Sequence, residues 1–344
     1  MRRAIVTSAF AMALFMGGCA SVPPPEPRAA TEPSEPTERE PQHGVIARSD
    51  RFVIYAPGPN DTLAELAQRF LGDAALEWRI ADFNGIAAAK PGSVLTIPLK
   101  PLNPMGVSSE GFQTVPVLTY HRIGGRTNRM ELTARVFAAQ MEYLARNGYR
   151  VVHLSELADF LAGKRDLPKR AVVLTFDDGY ASTYEHAFPV LKKYGFPATV
   201  FLYTNFVGAK DALTWPQIRE MSQSGLIDFQ PHSRTHANLI VRLPGESEQR
   251  YRERLDEEIR APRDLIRRNL SRAVSSYAYP YGDANEIVLE RLAQAEFRLG
   301  LTVNPGGNAF FADPLMLRRT MIFGDRGLDA FKAALQVFRE TKRR

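Results

Sequence analysis

The stretch Ala171-Val172-Val173-Leu174-Thr175-Phe176-Asp177-Asp178-Gly179-Tyr180 decides how the rest of the chain is read. Its first part is a continuous apolar β-run, broken only by Thr175, of the kind found where a strand is buried on both faces of a parallel sheet. It stops abruptly at two carboxylates and a glycine. In parallel α/β folds the chemistry collects at the C-terminal ends of the strands, and Asp177 and Asp178 stand at such an end. Paired aspartates on a surface usually mean solvation or a helix cap. Side by side after a buried strand they can divide labour: one binds a cation, and the other, its pKa set by that cation and its neighbours, takes a proton.

The segments on either side fit a parallel α/β architecture. Upstream, a strand over 115–119 runs into Tyr120 and His121, followed by a helix over 133–147, a strand over 149–153 and a helix over 155–162. Downstream, a helical segment reaches Tyr194 and a strand covers 198–203. Strands alternating with helices predict parallel pairing. A further strand-like run, Leu226 to Pro231, leads directly into His232-Ser233-Arg234-Thr235-His236. Two histidines at this spacing on a turn can meet one ion, and with an aspartate they make a facial ligand set for a divalent metal. Such an ion acidifies water and polarises a carbonyl oxygen. The turn-forming Tyr279-Pro280-Tyr281-Gly282 can present a backbone N–H to a developing oxyanion, a donor worth about 10²–10³ in rate.

Thr-Phe-Asp-Asp-Gly-Tyr at 175–180, His-x-x-x-His at 232–236 and Tyr-Pro-Tyr-Gly at 279–282, in this order, resemble the motifs of the polysaccharide deacetylases of carbohydrate esterase family 4, the NodB homology domain. The resemblance covers about residues 112–340 and implies an α/β fold, a distorted and incomplete (β/α) barrel. It implies Asp178, His232 and His236 as metal ligands, Asp177 as general base and the Tyr281 backbone as oxyanion donor. The implied cofactor is a divalent metal, zinc first, with cobalt or nickel as alternatives. The implied activity is hydrolysis of N-acetyl groups on N-acetylglucosamine units of a cell-envelope polysaccharide, peptidoglycan or exported poly-N-acetylglucosamine, with release of acetate.

Two departures from the family pattern matter. Many members carry an arginine just before the Pro-Tyr-Gly step that braces the base, where this chain has Tyr277, Ala278 and Tyr279. Many also supply a late histidine as general acid, and no histidine follows His236 here. His121, at the end of the first strand, is the obvious substitute, in an arrangement similar to the early Tyr-His motif of poly-N-acetylglucosamine deacetylases from biofilm export systems; a hydrogen-bonded structural histidine is the alternative reading. These departures motivate a rival reading, a non-catalytic glycan-binding envelope lipoprotein with a degenerate deacetylase fold. His153 and His186 read as structural, and His43 falls in a polar tether.

The chain has 344 residues, suggesting more than one domain, and its hydrophobic fraction of 44% can build a core. A net charge of +6 over this length suits an anionic envelope and is weak evidence for nucleic acid. No nucleic-acid partner is expected, and the sequence points to no particular protein partner. The charge-rich stretch 246–273 carries Tyr251, Leu255 and Ile259 at helical spacing, and so reads as an amphipathic helix with a solvated face. Cys19 is the single cysteine, which excludes an intrachain disulfide.

That cysteine ends an N-terminal address. Arg2 and Arg3 precede an apolar run from Ala4 to Met16 and then Gly17-Gly18-Cys19. The stretch 1–18 resembles a bacterial lipoprotein signal peptide, with Met16 where leucine is usual, and implies lipidation of Cys19. Several acyl chains at roughly 0.8 kcal/mol per buried methylene make a stable anchor. For a Gram-negative cell the same resemblance implies the periplasmic face of the outer membrane, since Ala20 rather than aspartate follows the cysteine. Residues 19–50, rich in proline and glutamate, are expected to form an extended tether.

Between them, residues 51–100 predict a small βααβ unit, joined by a linker over 101–111 to the large domain. Asp61-Thr62-Leu63, Ala67, Asn84, Pro91-Gly92, Leu95, Ile97 and Pro98 resemble a LysM domain, with Asn60 where glycine is usual. The resemblance implies binding of N-acetylglucosamine-containing glycans through Asn60, Asp61, Thr62, Asn84, Gly85 and Ile86. Capping and turning a small domain is the alternative reading of the same residues.

Overall fold

The strand Ala171–Phe176 is buried at every position and lies inside a seven-stranded sheet. Val115–Tyr120 pairs parallel to it on one side and Ala198–Leu202 on the other, and Ile227–Pro231 follows. Arg150–Val151 pairs beside its start, while Thr320–Met321 and Gly307–Asn308 both pair with Val115–Tyr120. This is a computed structural model, which describes residues 43–125 and 128–341. The expected signal peptide 1–18, Cys19 and the tether as far as residue 42 lie outside the described residues.

Alternation along the strands explains why they read as unbroken apolar runs. Leu118, Leu174, Phe176, Val200 and Leu202 pack with helix residues such as Phe137, Leu191 and Ile218. Val115, Val117, Val173 and Phe201 turn the other way, into a second core with Phe160, Leu299, Leu301 and Leu317. Neither face meets water, so no polar alternation is required. The helices Ala134–Arg146, Leu154–Leu161 and Glu248–Leu270 lie close to their expected bounds, the last with Tyr251, Leu255 and Ile259 buried, and Trp215–Gln223 is a further helix.

The sheet curves into a distorted (β/α) barrel with an interrupted wall. A separate parallel pair, Ser276–Ala278 with Leu299–Leu301, has no ladder to Ile227–Pro231. Gln230 takes the ladder's place, its side-chain oxygen accepting from the backbone N–H groups of Ser275 and Ser276. On the far side Leu299–Leu301 reaches the Leu317–Met321 segment through a bridge between Leu301 and Leu317.

Residues 43–99 form a three-stranded antiparallel sheet carrying two helices, Leu63–Leu71 and Glu77–Asn84. Two of the strands, Phe52–Ala56 and Leu95–Pro98, were expected. The third, Gly44–Arg48, corrects the tether reading of residues 44–48. Its side chains are largely exposed, so no burial pattern marks it. A ladder to Phe52–Ala56 holds it, across a turn in which the Ser49 N–H donates to the Phe52 carbonyl at 2.8 Å. His43 also packs here, its Nδ1 3.1 Å from the Pro57 carbonyl. The expected linker is likewise tied down, because Gly111–Gln113 pairs with Phe338–Glu340 from the other end of the chain.

The small module has its own apolar core around Val53, Leu66, Ile80 and Ile97, and polar contacts dock it on the barrel. Arg79 makes two bonds to the Asp166 carboxylate, at 2.6 and 3.1 Å. Asp82 accepts from the Lys169 backbone N–H at 2.9 Å, and Arg150 pairs with Glu77 at 2.9 Å. Arg150, Asp166 and Lys169 lie at or just before the N-terminal ends of their strands, opposite the end that carries Asp177. Removing one member of this largely buried pair leaves a poorly compensated charge, at a cost of up to about 3 kcal/mol. Arg79→Ala should therefore split calorimetric unfolding into two steps, with the module melting first. A single transition at the unaltered temperature would mean that this contact contributes nothing to docking.

Candidate active site

The turn after Phe176 is built to aim two carboxylates into one place. The Asp177 N–H donates to the Tyr120 carbonyl at 2.9 Å and extends the strand pairing by one residue. Asp178 then adopts φ 73° and Gly179 φ 83°, two successive left-handed residues that reverse the chain. Such a conformation is costly for aspartate and persists only where its surroundings over-determine it. At Gly179 an added Cβ would run into the Leu202 side chain.

His232 and His236 come from the loop after Ile227–Pro231. The His232 ring donates from Nδ1 to the Ala278 carbonyl at 2.8 Å, which leaves Nε2 facing Asp178. Ser233 and His236 have φ 78° and 63°, and the His236 N–H donates to the Ser233 hydroxyl at 2.8 Å. The buried Glu258 clamps the same loop, one oxygen accepting from the N–H groups of Arg234 and Thr235 at 2.9 Å each and the other from the Thr235 hydroxyl at 2.7 Å.

Asp178, His232 and His236 offer ligand atoms that all lie within 4.8 Å of one another. The imidazole Nε2 atoms of His236 and His232 are 3.3 and 3.7 Å from Asp178 Oδ1. That buried oxygen has no hydrogen-bond partner among the described residues. An orphaned carboxylate oxygen facing two imidazole nitrogens fits a divalent metal. Protonation fits at Asp178 and His232; at His236 burial lowers the imidazole pKa but Asp178 outweighs it and raises it, holding a proton that a bound metal would displace. Burial pushes the Asp178 carboxyl up, but His236, His232 and His121 outweigh it and bring it to about 2. Burial pushes His232 down toward the neutral form that a metal requires.

Asp177 is held differently. It is 2% exposed, and its two oxygens accept from Arg319 Nη1 and Nη2 at 2.7 and 2.9 Å. Arg319 is itself fully buried, with Nε bonded to the Thr302 carbonyl at 2.8 Å. Burial raises the Asp177 carboxyl, but Arg319, His232 and His121 outweigh it and leave it below the usual carboxylate range. Asp177 therefore stays ionised, as a base must. Arg319 is the brace that the sequence lacks before Pro280. Its only local signal is a charged pair, Arg318-Arg319, in the mostly apolar stretch from Leu315 to Ile322.

A cavity of about 360 Å³ is lined by Asp177, Asp178, His232, His236, His121 and Tyr281 together, with Arg122, Met130 and Tyr180 among its other walls. All the large-domain residues singled out from the sequence thus converge. Tyr281 has φ 63°, its N–H makes no backbone hydrogen bond among the described residues, and its exposed ring lies 4.9 Å from His236. His153 caps a helix with Glu156, and His186 sits in a helical turn outside the cavity.

In the small module the marked residues have structural work. Asp61 accepts from the Gly58 N–H and the Tyr55 hydroxyl, and Thr62 and Glu65 form a capping box. Asn84 ties the Ile80 carbonyl to both backbone groups of Thr96, Gly85 ends a helix at φ 65°, and Ile86 packs on the core. Asn60 is exposed.

Comparison with known proteins agrees with this geometry. The sequence model of the polysaccharide deacetylase family matches residues 164–300. YxkH of Bacillus subtilis (strain 168), named for the same family, is 30% identical over 230 residues, which are 67% of this chain and 79% of that protein. The chain belongs to the polysaccharide deacetylase family. The poly-β-1,6-N-acetyl-D-glucosamine N-deacetylase of Escherichia coli (strain K12) is 26% identical over 211 residues, 52% of this chain and 31% of that longer protein. The solved structure of IcaB from Ammonifex degensii superposes with a TM-score of 0.58 at 30% identity, covering 66% of this chain and 99% of that one. As a polysaccharide deacetylase the protein is a metal-dependent hydrolase of N-acetyl groups.

The buried ion pair makes a direct prediction. In Arg319→Gln burial acts on Asp177 unopposed by its main counter-charge, so its pKa rises. The acid limb of the pH–rate profile should move to higher pH, and activity at neutral pH should fall on the order of 10²-fold. An unshifted acid limb in a folded variant would remove Arg319 as the determinant of the base's charge.

Proposed function

We propose that this deacetylase acts on exported poly-β-1,6-N-acetylglucosamine at the cell envelope, hydrolysing acetamido groups to acetate and glucosamine amines. The observation that carries the proposal is the ionised, Arg319-braced Asp177 beside the Asp178, His232 and His236 ligand set in one cavity. Several relatives, from Escherichia coli to Staphylococcus epidermidis, are poly-β-1,6-N-acetyl-D-glucosamine N-deacetylases by name, which supports this polymer.

Asp178, His232 and His236 would hold the metal, and one carboxylate with two imidazoles suits zinc, with cobalt or nickel able to use the same donors. The ion's contribution when bound is to polarise the acetamide carbonyl and acidify the attacking water. Asp177 accepts the proton of that water. The Tyr281 N–H donates to the oxyanion. His121, across the same cavity, protonates the departing nitrogen. The non-catalytic rival loses its main motive, since Arg319 supplies the missing brace and His121 reaches the site.

The LysM resemblance of the small module favours a second substrate reading, peptidoglycan, with Asn60 to Thr62 and Asn84 to Ile86 as the glycan contacts. The Cys19 context supports a lipid anchor, with the periplasmic face of the outer membrane as its place. Cys19→Ala should then move the protein from the membrane to the soluble fraction, and unchanged partition would remove the anchor.

Acetate release from poly-β-1,6-N-acetylglucosamine, peptidoglycan and the N-acetylglucosamine pentamer tests the activity. The full chain, metal-stripped and zinc-restored, should release acetate only with metal, and fastest from the first polymer. Asp177→Asn should lose about 10²–10⁴-fold in rate while still binding metal. Preference for peptidoglycan would transfer the assignment to that polymer, and no release from any substrate would favour the glycan-binding rival.

A further inference from the structure

Beside the ligand set, one charged side chain of the catalytic cavity has no part in the mechanism. Arg122 directly follows His121, is half-buried and lines the same cavity as Asp178, Tyr180 and His236. Its guanidinium stands 3.9 Å from the centre of the Tyr180 ring. Tyr180 in turn packs edge-on against Phe206, which stacks on Tyr203, so the cation rests on an aromatic wall, with the Tyr180 hydroxyl between it and Asp178. Among the described residues Arg122 forms no ion pair, whereas Arg319, the other arginine at this site, is fully used by Asp177. The backbone fixes its place, because Arg122–Gly124 pairs with Glu131–Thr133 and the Arg122 N–H bonds to the Met130 carbonyl.

An unpaired cation at this position matters because of what the reaction makes. The substrate unit is a neutral acetamide, and the product unit is an amine that takes up a proton in neutral water. The cavity's carboxylates are already engaged, Asp177 by Arg319 and Asp178 by the ion it would hold, so a further fixed positive charge leaves the first unaffected and opposes the second. Within a low-dielectric pocket that opposition reaches several angstroms.

We propose that Arg122 is a specificity-determining residue, which admits N-acetylated sugar units to the cavity and turns away units already carrying an ammonium. The inference rests on the polysaccharide reading above. Its consequence is a spaced product: contiguous amines are disfavoured, and the enzyme releases a deacetylated stretch instead of holding it.

Two measurements test this. The glucosamine pentamer has no acetyl group to lose, so its binding can be followed by calorimetry on the active protein. Arg122→Gln should bind it roughly tenfold more tightly than the native protein at neutral pH and low salt. The difference should vanish at alkaline pH, where the amine is neutral, and shrink in high salt. Arg122→Lys should behave as native. In parallel, the ratio of kcat/KM for the N-acetylglucosamine pentamer to that for a pentamer with one internal glucosamine should fall toward unity in Arg122→Gln and stay high in Arg122→Lys. The ratio, not the absolute rate, is the readout, so a general loss of packing against Tyr180 does not imitate the effect. Equal pentamer affinities and unchanged ratios would overturn the role of Arg122 while leaving the deacetylase intact. Absence of acetate release from the fully acetylated pentamer by native protein, with metal bound, would overturn the underlying reading instead.

Discussion

The ion pair between Arg319 and Asp177 is the constraint on which the rest of the site depends. Both groups are cut off from water, and each alone would cost several kcal/mol to bury. Two parallel bonds at 2.7 and 2.9 Å, with a third from Arg319 to Thr302, make the burial tolerable. The pair joins the end of the Ala171–Phe176 strand to the strand beginning at Thr320 and to the loop after Leu301, so it ties together the part of the barrel wall where backbone ladders are short. Its chemical effect follows from the same geometry, because a carboxylate that cannot leave its guanidinium cannot easily take a proton from solvent. It can still take one from a water beside it as charge moves in the reaction. Structural and catalytic roles thus fall on one contact.

Around this fixed point the other groups are held under local strain. Asp178, His236 and Tyr281 all have left-handed backbones, a conformation uncommon outside glycine. Each is over-determined by neighbours: Asp178 by Gly179 and the packing of Leu202, His236 by Ser233 and the Glu258 clamp, and Tyr281 by Gly282 lying against Val303. A flexible loop would let two imidazoles and a carboxylate drift to satisfy their own hydrogen bonds. The clamp leaves Asp178 Oδ1 orphaned in a buried site, which is an arrangement suited to an ion and unfavourable without one.

The sequence is most legible where interactions are local. The run 171–176 matches its strand residue for residue, because a strand buried on both faces needs nothing but apolar β-formers. The two aspartates, the histidine pair and the Pro-Tyr-Gly turn each sit at or just after a strand end, so order along the chain was enough to bring them together. Arg319 was not legible, since its partner is 142 residues away and an arginine in an apolar run can as easily point outward. Glu258 was hidden for a related reason: it lies on a helix crowded with carboxylates, and only the tertiary contact with Arg234 and Thr235 separates it from its solvated neighbours. The Gly44–Arg48 strand escaped because a backbone ladder leaves no trace in side-chain pattern.

The placement of the small module limits what it can contribute. Its polar contacts reach Arg150, Asp166 and Lys169, at the start of strands whose far end carries Asp177. Lys169 and Asp177 are separated by an extended run that spans roughly 25 Å at strand rise. A glycan bound by the module is therefore not a neighbouring subsite of the sugar being deacetylated. If the module holds glycan, as its LysM resemblance proposes, it can act on catalysis only through a long polymer that returns to the cavity, a contribution of effective concentration that would leave a short oligomer untouched. Rigid docking sharpens that effect, because a module fixed by Arg79 and Asp82 samples fewer distances than one on a free linker. Recognition of the reacting unit must then come from the cavity's own walls, Tyr180, Tyr281 and Arg122 among them.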